Sequence, residues 1–201
     1  MAGLAYGKSE QFEYDFGPLV YDTKDLITNA INFAVLKHSD QVRKGTNIPY
    51  IMHPYEVMKI LSENGCSEQV RAAGMLHDVL EDTKTSPAEI KDVFGEDILK
   101  IVEAESEDKS KPWKERKQAT IDNLSDARYE VKMVCLADKL SNLRSMATDK
   151  AAFGEILWKR FNAPKNDIEW YYRQIFEKVV NLEHTKMLNE FASLLDDVFK
   201  E

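Results

Sequence analysis

The sequence is poor in the residues that mark secreted and membrane proteins. Only two of its 201 residues are cysteines, Cys66 and Cys135, and they lie too far apart to form a metal-binding or redox motif. We therefore expect reduced, buried thiols and no disulfide. No apolar run approaches the ~18 residues of a transmembrane helix, and no basic segment leads into an apolar stretch at the N-terminus. These absences predict a cytoplasmic protein without a membrane partner.

Basic residues are fewer than acidic residues. The chain has 27 lysines and arginines against 35 aspartates and glutamates, which gives a net charge of -8. Nonspecific binding to nucleic acids depends on clustered basic residues that displace counterions, so this balance argues against a nucleic-acid partner. A small anionic ligand is compatible with it if a local positive pocket or a metal ion holds the ligand. The sequence leaves the oligomeric state open.

Strand patterns are missing too, because no segment alternates apolar and polar residues for long enough. Helical spacing dominates, most clearly in "SPAEIKDVFG", with Ser86 as the cap, Glu89 as its capping-box partner and Gly95 at the end. Further helices are predicted at residues 26–38, 54–64, after Ser67, and at 96–105, 113–124, 127–146, 153–161, 165–182 and 185–199. The pattern predicts an all-α protein: one compact multi-helix bundle over residues 22–201, after an irregular N-terminal arm over residues 1–21.

A burst of acidic residues stands out in the stretch "AAGMLHDVLEDT", residues 72–83. If the helix there is continuous, spacings of four residues place His77, Asp78, Glu81 and Asp82 on adjoining stripes of one surface. Carboxylates in the last turn of a helix repel one another and the helix dipole, whereas a divalent cation is attracted by all of them. A solvated helix end is the alternative interpretation.

Two further residues favour the metal interpretation. His53, in "PYIMHPYEV", lies just ahead of a helix start, and Asp138, in "MVCLADKLSNL", lies inside an apolar helix. A lone carboxylate is costly to bury there, although Asp138 could pair with Lys139 or Arg144. Together with the adjacent His-Asp pair, these residues would supply two imidazoles and two carboxylates. Such a mixed set suits a catalytic divalent ion with open water positions.

Four segments in this order carry a family resemblance: "KHSDQVRKGTNIPYIMHP", "AAGMLHDVLEDTKTSPAEIKDVFG", "SEDKS" followed by "ERKQ", and "VKMVCLADKLSNLRSM". They resemble the HD-domain metal phosphohydrolases, and among these the hydrolase domain of the RelA/SpoT alarmone enzymes and their stand-alone small relatives. The resemblance covers about residues 24–182. Its most specific part is "HDVLEDT" followed by "LADKLSNLR".

The resemblance implies three sets of site residues. The metal ligands, usually to one Mn²⁺ ion, would be His53, His77, Asp78 and Asp138. The acidic pair that orients and deprotonates the attacking water would be Glu81 and Asp82. Substrate contacts would come from Arg43, Lys44, Asn142 and Ser145. Outside these sets, we interpret His38 as a helix cap or a support for the ligands. The aromatic residues of "IEWYYRQIF" are expected in the core, although one of them could form a wall of the base pocket.

The activity implied by the resemblance is that of a metal-dependent guanosine 3′,5′-bis(diphosphate) 3′-pyrophosphohydrolase of the stringent response. It would convert (p)ppGpp to GDP or GTP and pyrophosphate. One alternative keeps the metal centre but acts on another nucleotide, as an NADPH phosphatase or a dNTPase would. Another is a non-catalytic alarmone-binding domain. The pair Glu81 and Asp82 argues against this last alternative, because two extra carboxylates would weaken the binding of a polyphosphate.

Overall fold

The computed structural model describes residues 24–182 and 186–200, and the predicted arm over residues 1–21 lies outside them. In the described ranges the regular elements are helices, which confirms the all-α prediction. They are α1 (Leu26–Lys37), α2 (Met52–Glu63), α3 (Glu68–Leu76), α4 (Val79–Asp82), α5 (Pro87–Phe94), α6 (Glu96–Glu105), α7 (Trp113–Ser125), α8 (Tyr129–Phe153), α9 (Lys165–Val179) and α10 (Lys186–Phe199). None of these described helices is both long and apolar enough to cross a bilayer.

The helix after Arg128 is longer than predicted. It continues as α8 to Phe153, because nothing in the sequence breaks it before Gly154, whose φ of 58° ends it. The α-helix predicted at residues 153–161 is wrong, since Gly154–Arg160 forms a 3-10 helix. This segment connects α8 to α9.

The continuous helix predicted across residues 72–83 is also wrong. Helix α3 ends at Leu76, the chain turns through His77 and Asp78, and the short α4 follows. In a continuing α-helix the Gly74 carbonyl would accept from the amide of Asp78. In the structure this carbonyl accepts a hydrogen bond from Nδ1 of the His77 ring, at 2.8 Å. The histidine thus marks the end of α3, and the acidic residues follow the break.

Helix α3 lies at the centre of the bundle and contacts α1, α2, α6 and α8. Its residues Ala72, Ala73, Met75 and Leu76 are fully buried. Gly74 permits the close approach of α2, because a Cβ atom at this position would collide with the Leu61 side chain. Helix α8 runs alongside and also contacts α2, α6, α9 and α10. The two buried helices therefore fix His77 and Asp138 relative to each other.

The capping box predicted for "SPAEIKDVFG" is present. The Ser86 hydroxyl accepts from the amide of Glu89, and the Glu89 carboxylate accepts from the amide of Ser86 at 2.8 Å. The same carboxylate binds Lys37 on α1 at 2.8 Å. The start of α5 is thereby joined to α1.

We expect Ser86→Ala to lower the free energy of unfolding by about 1 kcal/mol, because the substitution leaves the amide of Glu89 without its acceptor. Urea denaturation followed by circular dichroism measures this. The control is Ser125→Ala, which alters an exposed serine in the last turn of α7. Equal midpoints for the two variants would contradict the stabilising role of the cap.

Candidate functional site

Three buried side chains bring metal-binding atoms together where α2, the end of α3 and α8 meet. His53, His77 and Asp138 are 4%, 2% and 5% exposed, and their ligand atoms all lie within 4.8 Å of one another. Oδ1 of Asp138 is 3.0 Å from Nε2 of His53 and 3.7 Å from Nε2 of His77. Two atoms that bind one divalent ion at right angles and at ~2.1 Å are ~3.0 Å apart, so this spacing fits a shared ion.

Asp78 completes the set of four predicted ligands. Its Oδ2 lies 2.9 Å from Nε2 of His77 and 3.6 Å from Nε2 of His53. The same oxygen accepts a hydrogen bond from the hydroxyl of Tyr50 at 2.7 Å. Burial and the neighbouring carboxylates raise the pKa of Tyr50 far above its usual value, so the hydroxyl remains a donor. The structure brings the four side chains together, and their binding of a metal stays a prediction.

The His77 ring is oriented as a metal ligand would be. Because Nδ1 donates to the Gly74 carbonyl, the lone pair of the neutral ring is on Nε2, which is buried and faces the carboxylates of Asp78 and Asp138. Burial lowers the pKa of His77, but Asp78 and Asp138 outweigh that effect and raise it well above its ordinary value. The field at this position therefore favours a positive charge, which a divalent cation would supply without a proton.

A chain of hydrogen bonds orients the second imidazole. Nδ1 of His53 lies 2.9 Å from the hydroxyl of Ser141, and this hydroxyl donates to Oε2 of Glu56 at 2.9 Å. Since the serine donates its proton to Glu56, it accepts from His53, and Nε2 of the ring keeps its lone pair. Arg144 binds Glu56 at 3.1 Å and also Glu190 on α10 at 2.7 Å. The predicted alternative pairing of Arg144 with Asp138 is thus absent among the described ion pairs.

Asp138 is held by its own neighbours on α8. The ammonium of Lys139 contacts Oδ2, and the side-chain amide of Asn142 donates to Oδ1 at 2.7 Å. Burial would raise the pKa of Asp138, but the charge of Lys139 and the two imidazoles hold it well below its usual range. Asn142 also accepts from Nη2 of Arg43 at 3.1 Å. A predicted ligand and two predicted substrate residues therefore form one connected group.

The acidic pair lies beside this cluster, on α4. The Glu81 carboxylate accepts from the amide of Glu107 at 3.1 Å, and Asp82 binds the ammonium of Lys109 at 2.5 Å. Burial raises the pKa of Glu81, which makes its carboxylate a better proton acceptor. The side-chain amide of Gln41 donates to the Asp82 carbonyl at 2.6 Å. The Gln41 side chain thus fixes the backbone at Asp82.

His38 supports the pair indirectly, in line with its interpretation as a support. Its ring is buried, and Nδ1 lies 2.7 Å from Oε1 of Gln41, the residue that binds the Asp82 carbonyl. Its backbone amide caps α1 by donating to the Ala34 carbonyl. The histidine therefore belongs to the surroundings of the site.

One cavity of about 370 Å³ connects these groups, and all ten predicted site residues line it. Some lining residues were missed by the sequence analysis: Tyr50, Glu105, Lys117, Lys139, Asp149, Arg160 and Phe161. Burial raises the pKa of Glu105 to about 7. Two aromatic residues of the "IEWYYRQIF" segment, Tyr171 and Tyr172, are buried and also line the cavity. Both are therefore core residues, as predicted, and both also form part of the cavity wall.

Comparison with known proteins assigns the family. The family described as HD domain matches residues 30–158 of the chain. The chain belongs to the HD-domain family. The adjacent His77-Asp78 step lies within the matched residues, and the resemblance predicted from the sequence is confirmed. The possible His-His-Asp metal site of this HD domain is consistent with the metal dependence of HD hydrolases.

The proteins similar to this chain include named hydrolases. The guanosine-3′,5′-bis(diphosphate) 3′-pyrophosphohydrolase MESH1 of Xenopus tropicalis is 44% identical over 124 residues, which are 60% of this chain and 69% of that protein. Lmo0812 from Listeria monocytogenes EGD-e has a TM-score of 0.70 at 33% identity, covering 74% of this chain and 99% of that one. A metazoan ortholog of SpoT that hydrolyses ppGpp also has a TM-score of 0.70, at 30% identity, covering 86% of this chain and 94% of that chain.

We expect Ser141→Ala to weaken Mn²⁺ binding by about 10- to 100-fold, because His53 loses the acceptor that fixes its proton on Nδ1. Isothermal titration calorimetry measures the affinity. The control is Ser145→Ala, one turn further along α8, which removes a hydroxyl of the same cavity; among the described hydrogen bonds, His53 pairs with Ser141 and not with Ser145. Equal affinities in the two variants would show that the hydrogen-bond chain has no role in metal binding.

Proposed function

We propose that this HD domain is a metal-dependent 3′-pyrophosphohydrolase of guanosine 3′,5′-bis(diphosphate). It hydrolyses ppGpp to GDP and pyrophosphate, and pppGpp to GTP and pyrophosphate. The observation that carries the proposal is the convergence of two imidazoles and two carboxylates at one cavity, with a second carboxylate pair beside them. The names of the relatives support the substrate, because MESH1 is a hydrolase of this nucleotide.

The residues that would hold the metal are His53, His77, Asp78 and Asp138. Nitrogen and oxygen donors of this kind suit Mn²⁺, which we infer to be the cofactor. When bound, such an ion lowers the pKa of water and offsets negative charge on phosphoryl oxygens. The Ser141 hydroxyl and the Gly74 carbonyl orient the two imidazoles, so the ligands are arranged before any cation arrives.

Glu81 and Asp82 are the proposed proton acceptors. Both lie within one turn of Asp78 on the chain and line the same cavity. One of them accepts the proton of the attacking water as the water oxygen bonds to the phosphorus and the bond between this phosphorus and the 3′ oxygen breaks. The 3′ oxygen leaves as the ribose hydroxyl after taking up a proton from solvent, and pyrophosphate is released. Lys109 binds Asp82 and the Glu81 carbonyl, which limits the repulsion between the two carboxylates and an incoming phosphate.

The proposed substrate contacts are linked to Asp138 through Asn142, which donates to its carboxylate. Arg43 and Lys44 come from the basic loop, residues 42–49, whose ends are joined by a backbone bridge between Val42 and Pro49. A guanidinium can bind phosphate with two parallel hydrogen bonds or stack on a base, and an ammonium acts as a point charge. Asn142 and Ser145 line the cavity next to them. In a chain of net charge -8, these local positive groups would hold the polyanionic substrate.

Two further predictions accompany this proposal. We expect a cytoplasmic protein whose partner is the guanine nucleotide and which binds neither nucleic acid nor membrane. The net charge of -8 supports the part of this expectation that concerns nucleic acids.

Removal of divalent ions should abolish pyrophosphate release from ppGpp, and added Mn²⁺ should restore it. Dialysis against a chelator, followed by separation of pyrophosphate from phosphate, measures the outcome. Release of phosphate from ppGpp, or turnover of NADPH or a dNTP in preference to ppGpp, would favour the alternative phosphohydrolases. Binding of ppGpp without turnover at saturating Mn²⁺ would favour a binding domain.

Two substitutions should separate the ligands from the acidic pair. We expect Asp78→Ala to lose both Mn²⁺ binding and turnover, because it removes a proposed ligand. Asp82→Asn should retain Mn²⁺ but lower kcat by roughly 10²- to 10⁴-fold, the usual contribution of a general base. Calorimetry and single-turnover kinetics measure the two effects. Asp92→Asn on the exposed face of α5 is the control. A full rate in Asp82→Asn would contradict its role.

A further inference from the structure

The cavity also contains an ion pair that has no role in the steps above. Asp149 and Arg160 both line the cavity, and Nη1 of Arg160 donates to Oδ2 of Asp149. Their side chains are only 19% and 22% exposed. Enclosing two charges costs desolvation energy that an ion pair does not always recover. A ligand that forms hydrogen bonds with the pair would offset part of this desolvation energy.

Helix α8 places Asp149 in line with the reaction centre. Asp138, Asn142, Ser145 and Asp149 follow one another at spacings of four, three and four residues, so they lie on one side of the helix. All four line the same cavity. The rise of about 1.5 Å per residue separates the first from the last by roughly 16 Å along the axis. A nucleotide with its 3′-phosphate at Asp138 would therefore extend its sugar and base towards Asp149.

Arg160 is fixed against the basic loop as well as against α8. Gly45 has a φ of 76°, and a Cβ atom there would lie 2.8 Å from Nε of Arg160. The absence of a side chain at Gly45 thus lets the arginine lie on the loop backbone. Two residues further along the chain, Asn162 accepts from the ammonium of Lys44 at 2.8 Å. The ion pair is therefore held from two sides next to the proposed substrate residues.

The pair keeps hydrogen-bonding capacity for a ligand. Within the described ranges, Oδ1 of Asp149 accepts no hydrogen bond and Nη2 of Arg160 donates none. An acceptor and a donor are thus available side by side. Guanine presents the complementary groups, because its N1–H and 2-amino group donate while O6 and N7 accept. Adenine has an amino group at position 6 and none at position 2.

We propose that Asp149 and Arg160 select guanine as the base of the substrate. Asp149 accepts from N1–H and the 2-amino group, and Arg160 donates to O6. Met146 and Phe161 also line the cavity and would supply apolar contacts for the faces of the ring. An adenine nucleotide would set its 6-amino group against the guanidinium and offer Asp149 no donor at position 2. The inference rests on the proposed function and names the residues that recognise its substrate.

The experiment compares kcat/KM for ppGpp with that for the adenosine analogue bearing the same 5′- and 3′-diphosphates. The wild type should prefer the guanine substrate by about tenfold or more, the discrimination of one good pair of hydrogen bonds. Asp149→Asn should lower kcat/KM for the guanine substrate by about tenfold and leave the adenine value within about twofold. Arg160→Lys keeps the positive charge but loses the planar set of guanidinium donors, so it should also reduce the preference for the guanine substrate.

The control is Arg173→Gln, which removes an exposed arginine of α9 paired with Glu169 and should leave both kcat/KM values unchanged. A merely structural role for the Asp149–Arg160 pair would lower the rates of both substrates equally in Asp149→Asn. That result, or a wild type without a preference for guanine, would overturn the proposal.

A binding measurement separates this proposal from the assigned reaction. Calorimetry with GDP and ADP should show tighter binding of GDP to the wild type and similar binding of both to Asp149→Asn. If the wild type releases no pyrophosphate from either substrate, the proposed function fails. Preferential GDP binding that is lost in the variant would still support guanine recognition, whereas equal binding of GDP and ADP to the wild type would overturn it.

Discussion

The whole site depends on one hydrogen bond, from Nδ1 of His77 to the Gly74 carbonyl. It lies at the point where α3 ends, so the residues that follow leave the axis of the buried helix and reach the cavity. It also determines which ring nitrogen keeps its lone pair. Gly74 contributes twice, because its carbonyl accepts this bond and its missing side chain lets α2 carry His53 close to α3. The end of α3 and the proton position on the His77 ring therefore both depend on Gly74.

Around this point the protein holds an unusual density of negative charge. Asp78 and Asp138 are buried near two imidazoles, and further carboxylates line the cavity. Asp138 is paired with the adjacent Lys139, and Asp78 accepts a hydrogen bond from Tyr50. Buried carboxylates this close together are costly as an isolated set of charges, and a divalent cation would be attracted by all of them.

The sequence predicted most of the helices and every residue of the proposed centre, because caps, spacing and the "HDVLEDT" and "LADKLSNLR" motifs are local signals. It did not predict the helix break at His77, since that break depends on a side chain bonding to the carbonyl three residues back. Ser141 and Asp149 were missed for another reason. Their partners lie 88 and 11 residues away, and only the folded bundle brings these groups together. Tyr50 lies within one of the motifs, but a tyrosine before a helix has no pattern in the sequence that predicts a hydrogen bond to Asp78.

The chain of hydrogen bonds behind His53 has a consequence for how the protein matures. It passes through Ser141, Glu56 and Arg144 and ends at Glu190, on the last described helix. The proton position on a proposed ligand in the N-terminal half is therefore coupled to a carboxylate near the C-terminal end. During synthesis, the amino-terminal helices would exist for some time without this anchor. The hydrogen-bond chain behind this proposed ligand would then be complete only after α10 has packed against α8.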